Sequence, residues 1–241
     1  MLSKNNIKLI KSLEHKKYRN QQGLFVVEGV KNAQEFLNSA YELSHLFTID
    51  TNFSLDDTSK ISYISYDELK KISFLKTPNV VLALFKVPVK QCIIKDGLLV
   101  GLDSINDPGN LGTIIRLCDW FGIQQLICSD DTVDCYNQKV VQATMGSLTR
   151  VNVVYTDLKE FLKTYQNPIY GTFMNGNSVY SSNLTSNGIV IMGNEANGIS
   201  SEIEKLISCK ISIPSYNDTH ETESLNVATA TAIVLSEFKR R

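Results

Sequence analysis

A carboxamide and a guanidinium, Asn110 and Arg116, close the stretch Leu102-Asp103-Ser104-Ile105-Asn106-Asp107-Pro108-Gly109-Asn110-Leu111-Gly112-Thr113-Ile114-Ile115-Arg116. Further on, a carboxylate, Glu195, lies between two glycines in Gly193-Asn194-Glu195-Ala196-Asn197-Gly198, and a second carboxamide ends Glu223-Ser224-Leu225-Asn226. A guanidinium can hold a phosphate or stabilise charge developing on an oxygen. Glycines beside it let a backbone approach a ligand closely or take a positive φ, although a turn without a ligand uses them equally well. Gly193 to Ser200 nearly matches a phosphate-binding GxxxxGK[ST] loop, but Ile199 stands where the lysine would reach the phosphates, which argues against nucleoside triphosphate chemistry. No GxGxxG follows a strand, and no carboxylate pattern suited to magnesium is evident.

These residues need a scaffold, and the hydropathy pattern supplies one. Leu98 to Leu102 reads as a buried strand, Asn106 to Gly109 as a turn, and Thr113 to Phe121 as a helix with an apolar stripe. Such a unit puts Asn110 and Arg116 near the carboxyl edge of a sheet, where open α/β folds keep their chemistry. From residue 95 onward short apolar strands (123–128, 151–155, 168–173, 188–192, 209–213) alternate with helices (137–145, 157–165, 200–207, 225–238). That alternation predicts a mostly parallel sheet covered on both faces. Ser224 is the expected N-cap of the last helix.

Residues 1–88 read as a smaller α/β unit, with a basic helix over 7–13, a strand reaching a turn over 23–29, strands over 43–49 and 80–87, and helices over 30–40 and 66–74. Val87-Pro88-Val89-Lys90-Gln91 marks the boundary, because a proline between two strand-like runs argues for a short connection. Two domains are therefore expected, 1–88 and 95–241. Glu28, just before Gly29, reads equally as a functional acid and as a structural helix-start residue.

The composition is that of an ordinary globular protein, and 241 residues can bury a sizeable core. No run approaches the roughly 18 apolar residues of a membrane span, and the N-terminus lacks a signal-peptide core, so a cytoplasmic location is expected. The five cysteines have no CxxC spacing and the three histidines stand apart, which speaks against a metal site or a disulfide framework. Net charge is −1, yet Lys4, Lys8, Lys11, Lys16, Lys17 and Arg19 face only Glu14 in the first twenty residues, and the chain ends Lys239-Arg240-Arg241. Basic ends of this kind can track phosphates, or simply solvate a helix face and a tail.

Taken together, Asn110-x-Gly112-x-x-x-Arg116, Met192-Gly193-x-Glu195-x-x-Gly198 and Ile213-Pro214 followed by Ser224-Leu225-Asn226-Val227 resemble motifs 1, 2 and 3 of the SpoU/TrmH branch of the SPOUT RNA methyltransferases. The resemblance covers residues 98–238. Tyr18-Arg19 through Gly23-Leu24-Phe25-Val26-Val27-Glu28-Gly29 is similar to the start of the ribosomal-protein-like substrate-binding domain found in many of these enzymes. The resemblance implies a C-terminal domain with a trefoil knot, an exception to the rule that folds avoid knots. It also implies a homodimer and bound S-adenosylmethionine, with the cofactor positions falling on Gly193, Ile213 and Leu225, flanked by Ser224 and Gly198. The loop from Pro214 to Glu223 departs from the pattern: it is long and carries Asn217-Asp218-Thr219-His220 where a glycine is customary.

The implied reaction is methyl transfer to a ribose 2′-hydroxyl without a metal, on ribosomal RNA in preference to transfer RNA. A fold retained for RNA binding without turnover is the alternative from another class. Arg116 matches the family's catalytic arginine. Because arginine is a fixed cation, stabilising an alkoxide or holding a phosphate suits it better than proton abstraction. Asn110, Glu195 and Asn226 are expected to hydrogen-bond Arg116, the ribose or one another. Lys16, Lys17, Arg19 and Glu28 are the expected RNA contacts of the N-terminal domain.

Overall fold

The computed structural model describes residues 2–89, 93–216 and 224–240; most of the loop from Pro214 to Glu223 thus lies outside the described residues. In chain order the elements are α1 (Lys4–Ser12), α2 (Lys16–Gln22), β1 (Leu24–Glu28), α3 (Val30–Leu37), β2 (Leu43–Thr48), β3 (Ile61–Tyr63), α4 (Tyr66–Ile72) and β4 (Val81–Lys86). There follow β5 (Leu98–Leu102), α5 (Pro108–Trp120), β6 (Gln125–Cys128), α6 (Gln138–Thr144), β7 (Asn152–Tyr155), α7 (Leu158–Lys163) and β8 (Ile169–Ser178). The chain closes with β9 (Gly188–Met192), α8 (Ser201–Glu204), β10 (Cys209–Ser212) and α9 (Val227–Arg240). Among the described residues no helix is long and apolar enough to cross a membrane.

The chain divides into two compact units. The first comprises Met1–Val89 together with Asp134–Thr149, and the second Lys90–Val133 with Arg150–Arg241. The first unit holds a sheet in the order β1-β4-β2-β3, in which β4 runs antiparallel to both neighbours and β2 pairs parallel with β3. Ile10 and Leu13 pack with Val26, Phe47, Leu69, Ile72, Leu82 and Leu84 in its core. Helix α6 packs against β1, the edge strand.

One expected RNA contact, Arg19, is corrected here, and a second, Glu28, is set inward. Arg19 is 2% exposed: its Nε donates to Asp134 Oδ2 at 2.8 Å, and its Nη1 donates to the carbonyls of Leu13 and Glu14. A guanidinium with four of its five donors committed inward, Nη2 also donating to Asp134 Oδ2, and only 2% exposed, holds the 134–149 segment within the first unit and does not face a phosphate. Glu28 is likewise buried, accepting from the Ser73 hydroxyl and from the Phe74 N–H at 2.9 Å. Burial raises its carboxyl above the ordinary value, against the lowering effect of those two hydrogen bonds and of Lys11. Neither residue belongs to an exposed basic track. Lys16 and Lys17 remain exposed on α2.

The Arg19–Asp134 pair gives the first expected outcome. Truncating one partner strands a buried charge, so Asp134→Ala should lower stability by about 3–5 kcal/mol in equilibrium urea unfolding. A loss below about 1 kcal/mol would mean that the pair behaves as a surface ion pair and does not fasten the segment.

The second unit is a six-stranded sheet in the order β10-β8-β9-β5-β6-β7, and each of its pairings is parallel. Leu99, Ile127, Ile169, Ile189 and Ile191 bury one face beneath Leu158, Phe161 and Leu162 of α7 and Ile203 of α8. Helix α5 packs against α9. The alternation read from the sequence thus becomes an α/β unit with a parallel sheet, and its chemistry belongs at the carboxyl ends of β5, β9 and β10.

Candidate active site

Three loops leaving the sheet build the site. The first leaves β5 and enters α5 earlier than the sequence pattern predicts. Asn106 to Gly109 is not a free turn: Asp107 is the N-cap, its side chain accepting from the Asn110 N–H at 2.8 Å, and Pro108 opens the helix. Proline is suited to the first helical position because its missing N–H would have no partner there. Asn110 therefore sits in the first turn of α5, anchored by its own backbone. Arg116 lies six residues on, roughly 9 Å along the axis and on a different face. It is exposed, and no hydrogen bond or ion pair joins it to another described residue.

The second loop leaves β9. Asn194 and Gly198 exchange two backbone hydrogen bonds, Asn194 N–H to Gly198 carbonyl at 3.0 Å and the reverse at 2.9 Å, and Gly198 takes φ +68°. Two side chains pin this loop to the first. Asn194 Nδ2 donates to the Ser104 carbonyl at 2.6 Å, and Asp103 Oδ2 accepts from the Ser200 N–H at 2.7 Å. Ser104 itself has φ +61°, held where Ser129 Oγ accepts from its N–H. Its hydroxyl, followed by that of Ser129, holds the Asp131 carboxyl below its ordinary value. Asp103 and Asn194 are loop-positioning residues that sequence reasoning missed. The one available signal was their place beside the quoted motif residues, since an acid at the end of a buried strand needs a donor.

Gly193 shows why the loop needs a residue without a side chain. A Cβ there would fall 2.3 Å from both the Gly198 carbonyl carbon and the Ile199 nitrogen. Gly193→Ala should therefore cost about 1–3 kcal/mol of stability or open the loop. Thermal unfolding read beside a ligand-binding titration separates the two. Wild-type values in both would show that the turn relaxes without strain.

The third loop enters α9. Asn226 is the cap of that helix, in place of the expected Ser224: its Oδ1 accepts from the N–H groups of Ala228 at 2.9 Å and Thr229 at 3.2 Å. Ser224 and Leu225 precede it and are exposed. With Oδ1 committed to the helix, Asn226 Nδ2 turns outward and donates to Asn110 Oδ1 at 2.8 Å. Asn110 Nδ2 in turn donates to Glu195 Oε1 at 2.9 Å. The result is a directional relay, Asn226 to Asn110 to Glu195, with its polarity set by the cap of α9.

Three of the four expected catalytic residues are thus joined through their side chains, and the fourth, Arg116, projects from the same α5 helix without touching them. Of the expected cofactor positions, Gly193 and Gly198 frame the second loop, Ile213 follows β10 and is half-buried, and Ser224 and Leu225 lead into the relay. Among the described residues no group of three or more His, Cys, Asp or Glu side chains could hold a metal ion.

A parallel α/β unit with its polar residues gathered where three sheet loops meet defines a class, and sequence comparison identifies it. Residues 97–236 match the SpoU rRNA Methylase family, and the chain belongs to that family. Residues 4–83 match the MRM3-like substrate binding domain. Among characterised relatives, the 23S rRNA (guanosine(2553)-2′-O)-methyltransferase RlmP of Bacillus subtilis is 28% identical over 236 residues, covering 95% of this chain and 94% of that protein. A structure from Porphyromonas gingivalis assigned to the TrmH family is 36% identical, with a TM-score of 0.91 over 100% of this chain and 99% of that one. The AdoMet-bound rRNA methyltransferase of Sinorhizobium meliloti is 25% identical, with a TM-score of 0.88 over 100% of this chain and 97% of that one.

Proposed function

We propose that this protein methylates a ribose 2′-hydroxyl of ribosomal RNA with S-adenosylmethionine as donor. The observation that carries the reading is the Asn226–Asn110–Glu195 relay at the start of α5, the helix that also carries Arg116; it brings three motifs 85 and 116 residues apart into one hydrogen-bonded chain. The Bacillus subtilis relative supports ribosomal over transfer RNA as substrate.

The residues fit the cofactor. The tight turn from Gly193 to Gly198 brings backbone groups to the end of β9, Ile213 is half-buried after β10, and Leu225 exposes an apolar side chain at 48%. Backbone and apolar groups suit an adenosine and a thioether arm, whereas a triphosphate would need the lysine that Ile199 replaces. When bound, the cofactor supplies an already activated methyl group. What remains for the chain is to align the ribose and to handle the charge of its hydroxyl. Arg116 holds the flanking phosphate or stabilises the developing alkoxide, as a fork of five donors can. The relay orients Glu195 together with two long backbone contacts, Asn106 N–H to Oε2 at 3.5 Å and Asp107 N–H to Oε1 at 3.4 Å, and Oε2 keeps a second lone pair for the ribose. The exposed lysines of α2 contribute phosphate affinity, and the first unit recognises folded RNA by shape and unpaired bases.

The family's knot and homodimer are part of the same reading, as is a cytoplasmic location. Trp120, 84% exposed at the end of α5, is of the residue type enriched at protein interfaces and is the position that tests for a face covered by a second copy. Trp120→Asp should then shift sedimentation from dimer to monomer, and an unchanged dimer would place the interface elsewhere.

The test is transfer of labelled methyl from S-adenosylmethionine to protein-free ribosomal RNA and, separately, to bulk transfer RNA, each from cells lacking this protein. Labelling of ribosomal RNA is expected. Labelling of transfer RNA alone would overturn the substrate, and cofactor and RNA binding without labelling would overturn the enzymatic reading.

A further inference from the structure

The first unit contains a half-open cavity of about 320 Å3. Phe74 and Leu75, in the turn after α4, form an apolar side; Gln138, Lys139 and Gln142 of α6 form a polar one; and Glu28, only 4% exposed, stands at the exit of β1. The turn is held in place by Lys11, whose Nζ donates to the Ser73 carbonyl at 2.8 Å and lies 4.7 Å above the Phe74 ring. A concave, largely apolar site with a few convergent polar groups is the usual form of a small-ligand site. Gln138 and Gln142 lie one helical turn apart, so both amides face the same space.

The carboxylate is the distinguishing feature. Each Glu28 oxygen accepts one internal hydrogen bond, from Ser73 and from Phe74, and a carboxylate oxygen can accept a second. Two parallel acceptors call for two adjacent donors. Among the common RNA bases guanine alone offers adjacent N–H donors, N1–H and N2–H, on its pairing edge. Adenine, cytosine and uracil each set an acceptor next to a donor there, and that acceptor would face the carboxylate.

We propose that this cavity takes one unpaired guanine base of the RNA, with Glu28 accepting from N1–H and N2–H. Lys139, exposed on α6, stands beside the cavity as a partner for the adjoining phosphate. The inference rests on the RNA-binding part of the function proposed above and adds a base-specific subsite on the first unit, apart from the methyl-transfer residues. A desolvated carboxylate is costly for stability, and a site built to pair a base must accept that cost.

The experiment is an anisotropy titration of the full chain with a labelled hexauridine carrying one internal guanosine, and with the same oligonucleotide carrying inosine, which lacks the N2 donors. Guanosine should bind roughly tenfold more tightly than inosine, as loss of one bidentate base contact predicts. Glu28→Gln keeps the side chain's shape and its bond from Phe74 but presents a donor to the base, and it should reduce the preference to under about twofold. Ala143→Phe, which fills the cavity and leaves Glu28 in place, should do the same, so the inference stays testable if Glu28→Gln folds poorly. Equal binding of the two oligonucleotides by the wild type, or a preference that survives in both variants, would overturn it. Methyl transfer to ribosomal RNA is measured on the same preparations. Transfer without a guanine preference sinks the subsite alone, and a guanine preference without transfer sinks the enzymatic reading alone.

Discussion

Arg116→Ala is expected to abolish most methyl transfer while leaving S-adenosylmethionine binding intact. The side chain is exposed and makes no hydrogen bond to another described residue, so its removal should leave the fold and the relay undisturbed. Loss of one preorganised group that stabilises charge on a reacting oxygen typically lowers kcat by roughly 100- to 1000-fold, or about 2.7–4 kcal/mol of transition-state stabilisation. Arg116→Lys should recover only a small part of this, because an ammonium keeps the charge but loses the planar fork. Single-turnover kinetics with saturating RNA, beside calorimetric cofactor binding, would check both statements. Near-wild-type turnover in Arg116→Ala would remove this residue from the chemistry, whereas a raised KM at unchanged kcat would restrict it to holding RNA.

Asn226→Asp carries the second large expectation. Aspartate caps a helix as well as asparagine, so α9 should keep its stability to within about 0.5 kcal/mol. The relay cannot survive the change. Asn226 donates to Asn110 and Asn110 donates to Glu195, so a carboxylate at 226 sets an acceptor against Asn110 Oδ1. If Asn110 turns its amide over, the same conflict moves to Glu195. Loss of a hydrogen bond to a charged group is worth about 1.5–3 kcal/mol, which corresponds to a roughly 10- to 100-fold fall in kcat/KM. The double variant Asn226→Asp with Glu195→Gln reverses the polarity of the chain. Glutamine then donates to Asn110 Oδ1, and Asn110 Nδ2 donates to the new aspartate. If the relay acts by fixing the orientation of Asn110, the double variant should be more active than Asn226→Asp alone, giving a positive coupling in a double-mutant cycle. Strict additivity would show that Glu195 works through its charge at the substrate and not through Asn110.

Much of this architecture could be read along the chain because its causes are local. Leu98–Leu102 and Gly188–Met192 are apolar on both faces, as strands buried in a parallel sheet must be, and both form as predicted. Helix ends were harder to read. Asp107-Pro108 is a good start signal, yet the same residues also spell a turn, and only the contact between Asp107 and the Asn110 N–H distinguishes the two. The choice between Ser224 and Asn226 as cap had the same character, since either side chain can accept from a helix N-terminus.

By itself the sequence determined which residues are available for chemistry: a guanidinium, two carboxamides and a carboxylate, each next to a strand end or a helix start, with the triphosphate-binding lysine missing. Tertiary structure decided which of them meet. The relay joins positions 85 and 116 residues apart, and its direction depends on which Asn226 atom the α9 backbone occupies. Tertiary structure likewise buried Arg19 against Asp134, 115 residues away, and grouped residues 134–149 with the first unit. Periodicity reports which face of an element is apolar. It carries no information about the partner that a distant polar side chain will find, because that partner is set by how the sheets order and pack their strands.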